Sequence, residues 1–214
     1  MARISSVFIG HFVEALQSVG RLTNLKAVIG EKGKTPPSVQ SYCERHSLPL
    51  HYVANSTELT ALFIEKEELC SRTFFSAGCG LLFAQSVIDA CTRVVNFHPG
   101  DLFTCRGRHP LPFAILKKLP QMCISAHFID SEKIDAGPLI TRIFLPIDYD
   151  ASYAANERAL LDALPGFTAS AIALIQKKNF KPWVWHDKVE APYNRKLDSE
   201  TLTCVLNSKH IGML

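Results

Sequence analysis

Residues 94–100 read Val-Val-Asn-Phe-His-Pro-Gly, and that short run decides what kind of sheet the chain builds. Two valines and Phe97 suit a buried strand, and Pro99, which has no amide hydrogen to give to a ladder, ends it. Successive side chains on a strand point to opposite faces, so Asn96 and His98 leave the strand tip on the same side. If the strand runs parallel to its neighbours, that tip lies at the carboxyl edge of the sheet, where open α/β sheets bind their ligands.

Working outward, short β-branched and aromatic runs alternate with segments of helix length. Toward the N-terminus the sequence predicts strands over 4–9, 25–29, 50–53 and 73–77, with helices near 11–20, 37–46 and 57–69 between them. Gly10 supplies the first turn, and Gly33 with Pro36-Pro37 breaks the chain before the second helix. Toward the C-terminus a polar loop, 100–109, precedes a helix over 110–118, strands over 122–129 and 138–146, and a long helix over 151–178. That helix carries Leu160, Leu161, Leu164, Phe167, Ala171, Leu174 and Ile175 at helical spacing and is expected to bend at Pro165-Gly166. This alternation is that of an α/β fold, covering residues 1–178. Residues 179–214 change character: Phe180, Trp183, Val184, Trp185 and Tyr193 sit among charges and prolines, as in a short hairpin-like tail.

The 214 residues, 47% apolar, 20% charged and 9% aromatic, describe a soluble globular chain. The balance of 23 basic against 20 acidic residues, without a run of like charge, argues against nucleic acid as partner and leaves room for an anionic small molecule. Seven cysteines, at 43, 70, 79, 91, 105, 123 and 204, form no C-x-x-C pair and read as reduced thiols of a cytoplasmic protein. The first residues meet Glu14 before a signal peptide's apolar stretch is complete, and no apolar run approaches a membrane span, so no membrane partner is expected.

Several residues near the strand tip have two readings. Asp135, before Ala136-Gly137-Pro138, is either a turn aspartate capping its own backbone or a carboxylate brought back over the sheet. His127 either packs at a strand position or supports the site. Arg106 either fixes its loop with Gly107 or meets a substrate phosphate or carboxylate, and His109 reads as a surface residue. Leu81, Leu82 and Phe83 are either ordinary core or the wall of a ligand pocket.

Three segments, read together, favour the second reading of Asp135 and leave those of His127 and Arg106 open. Residues 96–110 (NFHPGDLFTCRGRHP), 127–140 (HFIDSEKIDAGPLI) and 76–83 (SAGCGLLF) resemble, in order and separation, the signatures of the folate-dependent formyltransferase family, most like its sugar N-formyltransferases. The resemblance spans roughly residues 4–178. It implies a Rossmann-like, open, mostly parallel sheet flanked by helices, and a catalytic set of Asn96, His98 and Asp135. It implies a pocket for 10-formyltetrahydrofolate at Leu81, Leu82, Phe83, Asp130, Lys133 and Ile134, with no metal; the candidate substrate contacts are His127, which matches a histidine of the second signature, and, from the residues themselves, Arg106 and Phe12. The chemistry agrees with those roles. Addition of an amine to a formyl group builds negative charge on oxygen, which the Asn96 amide would meet; the amine's proton needs an acceptor, which His98 would be; and a carboxylate at Asp135 would orient that imidazole.

Two departures from relatives bear on the acceptor. Family members that formylate glycinamide ribonucleotide have a glycine-rich phosphate loop after the first strand, where this chain has Gly10-His11-Phe12-Val13-Glu14. Those that formylate methionyl-tRNA carry an oligonucleotide-binding domain, for which the 36 residues after the long helix are too few. The expected acceptor is therefore the amine of a dTDP-linked 4-amino-4,6-dideoxy sugar, in surface-polysaccharide precursor synthesis. Phe12, Trp183, Trp185 or Tyr193 would stack on its base, pack a homodimer, or simply cover the main domain. The alternatives are another amine (methionyl-tRNA, hydroxyornithine or glycinamide ribonucleotide) or a non-catalytic folate- or nucleotide-binding module.

Overall fold

The computed structural model describes residues 3–185 and 192–214. The stretch 186–191 of the expected tail, and Met1-Ala2 of the N-terminal reading, lie outside the described residues. The chain runs β1 (Ser5–Gly10), α1 (Val13–Leu22), β2 (Asn24–Glu31), α2 (Pro37–Arg45), β3 (Leu50–Val53), α3 (Ser56–Glu65), β4 (Thr73–Ala77), α4 (Gln85–Ala90), β5 (Arg93–His98) and β6 (Arg106–Gly107). It continues with α5 (Pro110–Leu116), β7 (Gln121–Ile129), β8 (Leu139–Pro146), α6 (Tyr153–Ile175), β9 (Tyr193–Asn194) and α7 (Ser199–Leu206).

Seven strands form one sheet in the order β3-β2-β1-β4-β5-β7-β8. The first five are mutually parallel, whereas β7 and β8 join antiparallel, so the expected α/β, Rossmann-like sheet is mostly parallel with a reversed edge. The strand order turns back between β1 and β4, and there the backbones crowd: a Cβ on Gly10 would lie 2.0 Å from the Ala77 carbonyl oxygen, so only glycine ends β1 at this point.

Strand alternation sorts the core into two layers. Phe8, Val28, Phe75, Val95 and Phe97 face α1, α2 and α6, while Val7, Ile9, Ile29, Phe74 and Val94 face α3 and α4. Asn96 and His98 share the parity of Val94, so they continue the second face beyond its core, at the carboxyl edge. Helix starts are fixed locally: Asn55, Ser152 and Asp198 accept the Glu58, Ala155 and Thr201 amides at the N-termini of α3, α6 and α7.

Four expectations change. The helix expected over 57–69 ends at Glu65, with Lys66 leaving helical geometry before a separate 3₁₀ turn, Glu67–Leu69. The chain between Phe83 and Arg93, to which the sequence assigned no element, holds α4. α6 is, among the described residues, the one helix long and apolar enough to cross a membrane, with mean hydropathy 1.4 over its 18-residue window, contrary to the reading that no run came close. Its Leu160, Leu164, Phe167, Ala171 and Ile172 pack inside the fold, against α1 and the sheet. The tail is no hairpin in its described parts: Trp183 bridges antiparallel to Leu139, β9 pairs parallel with β6, and α7 follows, sending Val205 into the main core.

Candidate active site

The site forms where β5 stops. His127 lies directly across from Asn96 in the antiparallel β5–β7 register, so Asn96, His98 and His127 share one face at one strand edge. Asp135 reaches them from the turn between β7 and β8. Its backbone is left-handed, φ 46°, a conformation that is costly for a residue with a Cβ and that surrounding contacts must hold in place.

Both carboxylate oxygens of Asp135 are engaged. Oδ1 accepts the Asn96 amide at 3.2 Å and faces His127 Nε2 at 3.3 Å; Oδ2 accepts the Gly107 backbone amide at 3.1 Å and faces His98 Nδ1 at 3.5 Å. Burial pushes the Asp135 carboxyl up, but His98, then His127 and the Gly107 amide outweigh it, leaving the group well below the usual carboxylate range. Asp135 therefore stays ionised at neutral pH with its side chain only 11% exposed.

The hydrogen-bond partners fix which atoms carry protons. A carbonyl only accepts, so His98 Nε2, 3.0 Å from the Cys105 carbonyl oxygen, is protonated, and the nitrogen free to gain or lose a proton is Nδ1, facing Asp135. By the same argument His127 donates through Nδ1 to the Phe128 carbonyl at 2.9 Å, while its Nε2 lies 3.3 Å from Asp135 Oδ1 and 3.2 Å from Asn96 Nδ2. The Asn96 amide is thus oriented: its nitrogen must face the acceptor-only carboxylate. Gly100 makes room for this arrangement, because a Cβ there would lie 2.7 Å from His98 Nε2 and 2.8 Å from the Cys105 carbonyl oxygen.

Beside this group is a cavity of about 360 Å³, lined by Asn96 and His98, by the loop after β4 and by the turn that carries Asp135. Phe83 is buried beneath it and Leu82 is exposed at its rim. The loop is held from behind by side chains that accept its amides: Glu31 takes Gly80 N at 2.7 Å and Ser56 takes Leu82 N at 3.1 Å. Burial pushes Glu31 up, while Lys34, the Gly80 amide and His11 more than offset it and keep the carboxyl below its ordinary range. A second, mostly apolar cavity of about 260 Å³ adjoins the first across Pro99, His109 and Pro110 and is lined also by Phe12, Leu160 and Leu202.

No family model matches the chain. A methionyl-tRNA formyltransferase of Geobacillus sp. (strain WCH70) is 24% identical over 202 residues, covering 84% of this chain and 59% of that protein, so the chain spans a little over half the length of this relative. Among solved structures, a sugar N-formyltransferase from Shewanella sp. superposes with TM-score 0.63 at 20% identity, covering 89% of this chain and 76% of that one. Phosphoribosylglycinamide formyltransferase from Streptococcus pneumoniae gives TM-score 0.71 at 17% identity, covering 82% and 99%. The chain has the formyltransferase fold. HypX from Aquifex aeolicus, solved with tetrahydrofolic acid, matches it too, at TM-score 0.65 and 18% identity over 94% of this chain and 31% of that one.

Within this formyltransferase fold, the structure brings Asn96, His98, Asp135 and His127 together, and puts Leu81, Leu82, Phe83, Lys133 and Ile134 on the cavity wall. It does not put Asp130 there; that side chain is exposed one turn earlier and takes the Ser131 hydroxyl at 3.4 Å. Arg106 is also absent from the wall: its guanidinium lies 5.9 Å above the Tyr193 ring, and the next basic residue, Arg108, takes the cavity position. Phe12 lines the apolar cavity, packed against Gly78 at the edge of the first. His109, expected at the surface, is half-buried in left-handed geometry, φ 55°, on the wall shared by both cavities. Burial, followed by Arg108 and Lys196, favours its neutral ring. Sequence reasoning missed the Gly107 amide and the Cys105 carbonyl, which, being backbone groups, carry no residue-type signal.

Proposed function

We propose that this chain is a folate-dependent N-formyltransferase that moves the formyl group of 10-formyltetrahydrofolate onto an amine. One observation carries the reading: an ionised carboxylate, two imidazoles and a carboxamide converge on one strand tip beside a cavity suited to a flat heterocycle. The cavity volume falls within the range of small-molecule sites. A flat pterin needs apolar walls, which Leu81, Leu82 and Ile134 at the cavity, with Phe83 buried beneath, supply. The folate, when bound, supplies an activated formyl carbon whose leaving group is an amine nitrogen.

The chain's own residues do the rest. His98 accepts the proton of the attacking amine at Nδ1, and Asp135, already charged, steadies the imidazolium so formed. Because the Asp135 carboxyl lies far below neutrality, its part is charge and orientation rather than proton storage. Asn96 donates to the developing oxyanion through its second amide hydrogen, while the charge-assisted bond to Asp135 keeps the amide aimed. The proton held by His98 then goes to the departing folate nitrogen, and an N-formyl amide and tetrahydrofolate result.

For the acceptor, we favour the amino group of a dTDP-linked 4-amino-4,6-dideoxy sugar, in the supply of surface-polysaccharide precursors. The sugar N-formyltransferase among the structural neighbours supports this, as do Arg108 and Lys133 at the cavity for phosphates and the exposed Tyr193 ring beside them for a base. A cytoplasmic setting goes with this reading, since all seven cysteines are free. The apolar cavity favours a second reading, in which the acceptor bears a compact apolar group such as a methionyl side chain. The test is a panel of dTDP-4-amino-4,6-dideoxyglucose, methionyl-tRNA, glycinamide ribonucleotide and hydroxyornithine, each with 10-formyltetrahydrofolate. Turnover of the nucleotide sugar alone is expected; turnover of methionyl-tRNA alone establishes the second reading, and none with any amine removes the activity.

A further inference from the structure

Trp185 lies outside the sheet and its flanking helices, yet it is fully buried. It does not join either layer of the main core. With Leu102 and Leu139 it makes a third, small core, against which Phe103 packs edge-on at 4.8 Å. Two segments meet there, and each delivers one of the groups that orient His98.

The first is the turn before β8. The Trp185 indole N–H donates to the Gly137 carbonyl oxygen at 3.0 Å, two residues after Asp135. On its other side Gly137 is pressed against β7, where a Cβ would lie 1.8 Å from the Phe128 carbonyl oxygen. The turn is thus clamped between β7 and the indole. That clamp answers the question the left-handed Asp135 poses, namely what holds a strained residue in place. Trp183 extends it with a two-way backbone pairing to Leu139, at 2.8 and 2.9 Å.

The second segment is the coil 101–105. Leu102 and Phe103 rest on Trp185, and the coil closes when Cys105 N donates to the Asp101 carbonyl at 2.8 Å, which presents the Cys105 carbonyl to His98 Nε2. Arg142 ties the coil to β8 through Asp101 at 2.6 Å. Further along, β9 pairs with β6, so the tail also backs the strand whose Gly107 amide binds Asp135.

We propose that Trp185 is a positioning residue for the catalytic pair: its N–H holds the Asp135 turn, and its ring seats the coil that orients His98. The catalytic role of that pair rests on the reading above, but the coupling itself does not. A large buried indole would stabilise any tail; the positioning role is separable because it predicts effects at named atoms.

The experiment is amide and indole hydrogen exchange by NMR on the full chain, with Trp185→Phe as the variant, which keeps an aromatic ring and removes the N–H. In the native protein, the Trp185 indole and the Gly107 amide are expected to open together, with equal protection and equal denaturant response. In Trp185→Phe, Gly107 protection is expected to fall about tenfold or more, while amides of Val7–Ile9 in β1 keep theirs. On the amine that the panel identifies, kcat falls about tenfold with the KM for 10-formyltetrahydrofolate within about twofold, the pattern of a lost transition-state interaction. Unequal protection in the native protein, unchanged Gly107 protection in the folded variant, a parallel loss in β1, or an unchanged kcat would each overturn the proposal. Exchange needs no acceptor, so an inactive panel would strike the enzymatic reading and leave the coupling to stand or fall separately.

Discussion

Replacing Asp135 by Asn keeps the shape of the side chain and removes its charge, which makes it the sharpest probe of the site. Four groups face the two carboxylate oxygens, and every one of them is a donor or a ring nitrogen able to carry a proton. An amide has one acceptor oxygen and one donor nitrogen. If the oxygen stays with Gly107, the new nitrogen meets the Asn96 nitrogen; if it stays with Asn96, the Gly107 amide is orphaned. Either way one buried bond to a charged acceptor is lost, about 1.5–3 kcal/mol, and the tight half-turn at φ 46° gives little room to adjust. The larger effect is on the charged state of His98. At 3.5 Å and an effective dielectric near 20, a carboxylate and an imidazolium attract by roughly 5 kcal/mol, from which the desolvation of the carboxylate subtracts. A net loss of about 3–4 kcal/mol in the transition state remains, equivalent to roughly 10²–10³ in kcat.

The assay is single-turnover transfer with saturating 10-formyltetrahydrofolate, read beside thermal melts over pH. Because the folded Asp135 carboxyl lies below its unfolded value, the stability it contributes is complete above the unfolded pKa, about 4, and drains away as pH falls toward the folded one. The melting-temperature gap between native protein and variant should thus narrow as pH falls below about 4. A folded Asp135→Asn protein with kcat within about tenfold of native, or a gap that stays constant into strong acid, would refute the reasoning.

Gly100→Ala places a methyl group 2.5 Å from Pro110 Cβ and 2.7 Å from His98 Nε2, so we expect a stability loss of about 1–3 kcal/mol in chemical denaturation together with a larger fall in kcat than in folate affinity. Glu31→Ala frees the Gly80 amide and unpins the cavity loop; titration calorimetry with 5-formyltetrahydrofolate should show affinity weakened about tenfold, about 1.4 kcal/mol, and native affinity would mean the loop is held without it.

Much of this site could be read from one strand. The parity of Val94, Asn96 and His98, and the proline that follows, placed two candidate side chains on one face at the carboxyl edge, and the sheet obeys that arithmetic. His127 was ambiguous for a definite reason: only the antiparallel register of β7 against β5 puts it opposite Asn96, and a sequence of alternating strands and helices favours parallel neighbours. Asp135 was reached through a resemblance, since a turn aspartate beside glycine looks the same whether it caps its own backbone or faces a histidine.

The same limit explains Trp185. A tryptophan in a polar, proline-bearing tail reads as cover for a core, because sequence shows how much apolar surface a residue can bury but not which carbonyl its N–H will find. The two differ in consequence. Cover acts on the whole domain through buried area, so any ring of similar size serves; a directed N–H acts on one turn, so only its partner suffers when it goes. Here the partner is Gly137, the residue whose close contact with Phe128 forbids a side chain and which lies two residues after the strained Asp135. A turn confined that tightly on one face needs a directional contact on the other to select one backbone conformation. The tail supplies that contact, which places part of the site's precision in residues that no catalytic motif includes.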